Sequence, residues 1–310
     1  MLAAVTVLRI MLPLLYLATL GMYLWLFFTD HPTARVRCTQ MAVVTVIVHT
    51  LALVTQTAYL ERLPLESPLE FFSSLALALM VTYLVIEQSI RAKNTGFIVV
   101  GTAFLLQFLA SSFCHTKISN NPLLQQPGFA AHAGLAILAY TALSLSFLYA
   151  VLYLILARQL ERRSFGLLFR RLPSLEVLER MSIGAIKLAL PLLFVALALG
   201  HLWMYHLRDA QPALASMLTP WDPKILMTWV IFLGYAGGLA GYRFLGWRGR
   251  RMNLLAVFAF LAVLGATGLA HHFFPTFHKF RTASEVIDPR APRPQATIPD
   301  PEGHSGGWGS

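Results

Sequence analysis

Ten histidines stand in this chain of 310 residues: His31, His49, His115, His132, His201, His206, His271, His272, His278 and His304. Imidazole is the side chain that can carry a proton near neutral pH or give a lone pair to a metal. Cysteine chemistry contributes little beside it. Cys38 and Cys114 belong to no CxxC or CxxCH motif, and two cysteines make no disulfide framework. No phosphate-binding glycine loop occurs. The available chemistry is that of imidazole, tryptophan and a few isolated charges, and its meaning depends on the elements that position them.

Those elements are membrane helices. Hydrophobic residues make up 57% of the chain and charged residues 12%, with a mean hydropathy of +0.64. A soluble domain is nearer a quarter charged. A spanning helix needs about 20 mostly apolar residues. Eight stretches qualify: 3–28, 40–60, 70–88, 96–113, 129–157, 182–206, 223–242 and 253–273. The first lacks a basic leader and a small-residue cleavage site, so it is expected to be retained as a helix. Pro13 and Pro191 fall inside spans, which membrane helices tolerate.

The net charge of +10 does not form a nucleic-acid surface, because the basic residues sit in the gaps between spans. The odd gaps hold Arg35, Arg37, Arg91, Lys93, Arg158, Arg162, Arg163, Arg170, Arg171, Arg180, Arg243, Arg248, Arg250 and Arg251. The even gaps hold only Arg62, Lys117, Arg208 and Lys224. The positive-inside rule then places the odd gaps in the cytoplasm and both termini outside. The expected fold is all-α and polytopic, with eight transmembrane helices. Residues 158–181 mix arginines with Phe165, Leu167, Leu168, Phe169 and Leu172, which suits either a cytoplasmic amphipathic segment on an anionic leaflet or a solvated connector. Residues 1–278 form the membrane domain, and 279–310 are expected to be a disordered outer tail.

With that orientation seven of the ten histidines gather at the outer interface: His115, His132, His201, His206, His271, His272 and His278. Two histidines on different helices at matched depth could hold one haem between them as axial ligands. His132 and one of His271 and His272 have that depth, and adjacent helical residues point about 100° apart, so only one of the latter two can face a given site. His206 and His278 read as headgroup-facing residues and His115 as a solvated one. His49 is mid-span. An ionisable group there is a functional candidate, or a neutral imidazole bonded to another helix.

The sixth gap runs from His201-Leu-Trp-Met-Tyr-His206 to Thr219-Pro-Trp-Asp-Pro-Lys224. Asp222 suits an N-cap and Pro223 a first helical turn, which accounts for that pair by itself. Trp203 and Trp221 fit interfacial belt aromatics. They equally fit a platform for a flat apolar ligand such as a porphyrin, with Lys224 or Arg208 near its carboxylates.

Several stretches together resemble the cytochrome c assembly membrane proteins of the CcsA/HemX type. Ala131-His132-Ala-Gly-Leu-Ala-Ile-Leu-Ala-Tyr140 is similar to the helix carrying that family's first external histidine. Trp221-Asp-Pro-Lys224 with Trp229 resembles the end of its tryptophan-rich haem-handling segment, and Gly268-Leu-Ala-His271-His272 sits where its second external histidine lies. Gly246-Trp-Arg-Gly-Arg-Arg251 and His49 resemble the HemX-like branch. The resemblance covers roughly residues 1–278 and is closer to that branch.

The resemblance implies haem handling at the outer face of a bacterial inner membrane. His132 matches the first axial ligand and His271 or His272 the second, with Trp203, His201, Trp221, Asp222 and His49 as further cofactor-binding positions. The cargo would be non-covalent haem b. Expected partners are haem, the lipid bilayer, apocytochrome c and a second maturation subunit. The expected role is haem carrier, chaperone or subunit of a cytochrome c synthase in c-type cytochrome biogenesis. The alternative is a HemX-like regulator of tetrapyrrole synthesis or a structural membrane partner. The sequence departs from the catalytic pattern: Ala215-Ser-Met-Leu-Thr-Pro220 replaces further tryptophans and glycines, Ile225 replaces an acid, and Ala236-Gly-Gly-Leu-Ala-Gly241 stands where span seven would carry a histidine. That favours an accessory haem-binding protein over an autonomous synthase.

Overall fold

The computed structural model describes residues 2–65, 67–113, 127–210 and 222–273. They form the helices α1 (Leu2–Thr29), α2 (Pro32–Leu60), α3 (Pro68–Ile90), α4 (Gly96–Phe113), α5 (Pro127–Glu161), α6 (Leu167–Arg171), α7 (Leu175–Ala210), α8 (Pro223–Phe244) and α9 (Arg250–Phe273). The eight long helices coincide in order with the eight apolar stretches, and the expected tail lies outside the described residues.

Six of these helices, α1, α2, α3, α5, α7 and α8, are long and apolar enough to cross a membrane within the described residues, and α4 contributes a shorter apolar helix, Gly96–Ser112. Their outward faces are apolar as well. Ile10, Ile47, Val54, Val230, Leu233 and Phe258 are all exposed. An apolar surface of that extent marks a membrane-facing one. The chain is a multi-pass membrane protein, all-helical over the described residues.

Several helices extend beyond the apolar windows. α2 begins at Pro32, eight residues before the expected start, because His31 caps it: the His31 ring accepts the Thr33 N–H at 3.2 Å, and Pro32 sits in the first turn. α7 begins at Leu175 rather than 182, and α5 runs on to Glu161. Hydropathy reports the bilayer-sized segment, whereas a helix continues into water until a cap or breaker stops it. The polar connector is correspondingly shorter than 158–181, and its middle folds as α6. Leu168 and Phe169 pack against the core and Leu172 is buried, while Phe165 and Leu167 stay exposed.

The long helices pack as two groups of four. α1 to α4 form one around Tyr16, Tyr23, Leu26, Met80 and Tyr83. α5, α7, α8 and α9 form the other around Leu143, Ile186, Tyr235 and Phe260, and α3 joins the groups through α5 and α7. Short α1–α2 and α3–α4 connections make those neighbours antiparallel, so the odd gaps meet at one end. There Lys93 Nζ donates to the Arg35 carbonyl at 2.8 Å, Asn94 Nδ2 to the Arg171 carbonyl at 2.8 Å, and Arg250 pairs with Glu161 at 3.3 Å. This is the arginine-rich end. The opposite end holds the start of α5, the end of α7, the start of α8 and the end of α9, and is called here the histidine end.

Candidate functional site

At the histidine end α5 and α7 approach closely because glycines line the contact. A side chain at Gly200 would place its Cβ 2.7 Å from Nδ1 of His132, and one at Gly128 would come within 2.5 Å of the Trp203 ring. The absence of these Cβ atoms seats His132 of α5 on α7 and Trp203 of α7 on α5. Trp203 also meets Phe129, with ring centroids 5.8 Å apart.

His132 is half-buried, and its Nδ1 lies 2.8 Å from the Ala196 carbonyl oxygen. A carbonyl can only accept, so Nδ1 carries the proton and donates it. Nε2 then holds the lone pair. A backbone carbonyl on one ring nitrogen is the arrangement that fixes the tautomer and orientation of a metal-ligating histidine. His201, one residue beyond Gly200, is turned toward α8. Its Nδ1 donates to the Leu197 carbonyl at 2.8 Å, and its ring meets Trp229 edge-on at 6.1 Å between centroids. His206 is exposed.

The last turn of α9 brings the backbone of His271 and His272 to the same end. Phe147 of α5 stacks on Phe260 of α9 at 4.9 Å, which sets the register of these two helices. At 1.5 Å per residue, His271 and His272 lie about 16–18 Å along α9 from that pair, and His132 about 22 Å back along α5. The helix positions therefore finish within about one turn in depth. Asp222 is buried, and its carbonyl accepts the Leu226 N–H at 3.1 Å, as an N-cap residue does at the start of α8. Trp221, His115, His278 and His304 lie outside the described residues.

His49 is elsewhere, in the first helix group. It is fully buried between α1 and α3, with Nδ1 2.9 Å from the Tyr16 hydroxyl and Nε2 3.0 Å from Ser73 Oγ. The donors along this chain can be assigned. Gln107 Nε2 donates to Ser111 Oγ at 3.0 Å, and Ser73 Oγ donates to Gln107 Oε1 at 2.9 Å. Ser73 therefore accepts from His49 Nε2–H, and Tyr16 donates to Nδ1. Both ring nitrogens are engaged, so His49 in this arrangement offers no lone pair to a metal. It is a neutral imidazole bonded to neighbouring helices.

Two further polar clusters escaped the reading by histidines. Glu87, buried in α3, accepts from Tyr23 Oη at 2.6 Å and from the Thr39 hydroxyl, with Lys93 Nζ at 3.8 Å. At the opposite end Arg62 and Glu70 form a bidentate pair with both distances 3.1 Å and almost no solvent exposure. An acid within the apolar stretch 70–88 was the available signal for Glu87.

The comparisons with known proteins decide the family. The model of the cytochrome c assembly protein family matches residues 7–267. This chain belongs to the cytochrome c assembly protein family. The match takes in His49, His132, Trp203 and Asp222 and stops just short of His271. Among its relatives, the cytochrome c biogenesis protein CcsA of Mesostigma viride is 27% identical over 227 residues, covering 64% of this chain and 71% of the relative. CcsA of Heterosigma akashiwo is 27% identical over 238 residues, with the same coverages of 64% and 71%. The protein HemX of Bacillus subtilis is 31% identical over 105 residues, covering 34% of this chain and 36% of HemX. No solved structure matches this cytochrome c assembly family member.

Proposed function

We propose that this membrane protein binds haem at the histidine end and serves c-type cytochrome biogenesis as a haem carrier, chaperone or synthase subunit. The observation that carries the reading is His132, whose Nδ1 is committed to the Ala196 carbonyl while Nε2 keeps its lone pair. Family membership and the CcsA relatives support it. The His132 imidazole, with its Nε2 lone pair kept, suits haem iron as a ligand. His132 would supply one axial ligand and His271 or His272 the other. Trp203, His201, Trp221 and Asp222 would shape the mouth of the site. In this reading His49 has a structural role, which its hydrogen bonds to Tyr16 and Ser73 support.

The cargo in this reading is non-covalent haem b, and the recipients are apocytochrome c and a second maturation subunit. The histidine end faces outward from a bacterial inner membrane, with eight crossings and both termini on that outer side. The arginine asymmetry between the two ends supports this orientation. The test is spectral. Purified protein should show a low-spin Soret band that collapses in the His132→Ala, His271→Ala, His272→Ala triple variant. A full band in that variant would remove the proposed ligands.

A second reading is the HemX-like regulator of tetrapyrrole synthesis, which rests on the resemblance of Gly246–Arg251 and His49 to the HemX-like branch. The two readings separate on co-expression with an apocytochrome reporter and its maturation partners. Covalent haem that depends on His132 supports assembly. Unchanged reporter with altered tetrapyrrole levels supports regulation.

A further inference from the structure

A lateral groove of about 470 Å³ opens between α3 and α7 toward the arginine-rich end. Its walls are apolar: Val85, Ile86 and Ile90 from α3, with Ile183 and Leu188 from α7. On α7 the residues Arg180, Ile183, Gly184 and Lys187 repeat at helical spacing and form one stripe facing the groove. Tyr242 of α8 closes one side.

Two cations line this apolar slot and no acid does. Lys187 stands inside the apolar run of α7, where an ammonium needs a partner or a route to the interface. Among the described residues Lys187 has a ring contact with Tyr242, at 5.7 Å to the centroid, and no ion pair. That ring also carries Arg248 at 3.6 Å, so it already faces a second cation. Arg180 makes no hydrogen bond or ion pair within the described residues. Of the neighbouring acids, Glu87 is committed to Tyr23, Thr39 and Lys93, and Glu179 to the Gly249 N–H at 2.9 Å, while Glu176, one turn before Arg180 on α7, does not line the groove.

We propose that this groove holds one anionic phospholipid from the leaflet at the arginine-rich end. Its phosphate sits between Arg180 and Lys187, and an acyl chain lies against Val85, Ile86, Ile183 and Leu188. The charge complementarity chooses the headgroup, and the apolar walls choose an amphiphile over a free anion.

The experiment is native mass spectrometry of the full chain in neutral detergent, with phosphatidylglycerol and phosphatidylcholine added in equal amounts. Phosphatidylglycerol adducts should dominate. The Arg180→Gln, Lys187→Gln double variant should lower them about tenfold or more. Arg162→Gln, Arg163→Gln removes equal charge outside the groove and should leave them unchanged. Ser89→Trp fills the groove without changing charge and should also expel the lipid, which keeps the test open if the double variant does not fold. Equal retention of both lipids would overturn the proposal. So would an equal loss in the Arg162, Arg163 control, or displacement of the lipid by equimolar haem.

Discussion

At the residue scale the decisive feature is which imidazole nitrogen is free. His132 and His49 are both histidines in apolar helices, yet one keeps a lone pair and the other does not. The seat of His132 depends on Gly200, so Gly200→Ala should push the ring off the Ala196 carbonyl. We expect haem affinity to fall about 10–100-fold, the usual effect of disturbing a ligand's supporting hydrogen bond, as read by haem titration. Gly134→Ala is the matched control, because a Cβ there meets open space and should leave affinity unchanged. His49→Leu should keep the Soret band and lower stability by about 1–3 kcal/mol for each polar partner left unpaired, measured by unfolding in mixed micelles. Loss of the band in His49→Leu would return that residue to the ligand set.

At the element scale the helices are stopped and joined by specific polar contacts. Ser67 and Glu70 make a capping box at the start of α3, and Glu70 simultaneously grips Arg62 beyond the end of α2. One buried carboxylate thus serves both the cap of α3 and the Arg62 contact at the α2–α3 corner. Glu70→Ala removes the two charge-assisted hydrogen bonds that Glu70 accepts from the buried Arg62 guanidinium and should destabilise the protein by about 1.5–3 kcal/mol, seen as a lower midpoint in the same unfolding assay. Arg62→Met, Glu70→Leu removes both charges and should recover much of that loss. Exchanging the exposed pair Arg250 and Glu161 should cost under about 1 kcal/mol.

At the scale of the whole molecule, the two four-helix groups differ in composition. The first is tyrosine-rich and internally hydrogen-bonded, and the second carries His132, His201 and His206 at one end. Orientation is open to direct measurement. Reporter fusions within the gaps after α1, α3 and α8 should report the cytoplasmic side, and a fusion after α9 the outer side. A phosphatase fused after residue 273 should be active, and one fused after residue 245 inactive. The reverse pattern would turn the histidine end toward the cytoplasm and remove the proposed site from the outer face.

The sequence by itself determined the class of solvent, the order of the long helices and the end at which the histidines collect. These follow from hydropathy over a bilayer-sized window and from charge in the gaps, both of which act along the chain. The family resemblance was legible too, because its motifs are local. Tertiary structure alone decided that His132 keeps a free nitrogen and His49 does not. His49 was expected as a candidate ligand or a bonded imidazole, and only the packing of α1, α2 and α3 put Tyr16 and Ser73 on its two nitrogens. The same holds for Gly200 beneath His132 and for Glu70 against Arg62. Hydrogen-bond partners on different helices are set by helix rotation and register, and these depend on the interlocking of side chains across the bundle rather than on any pattern along one helix.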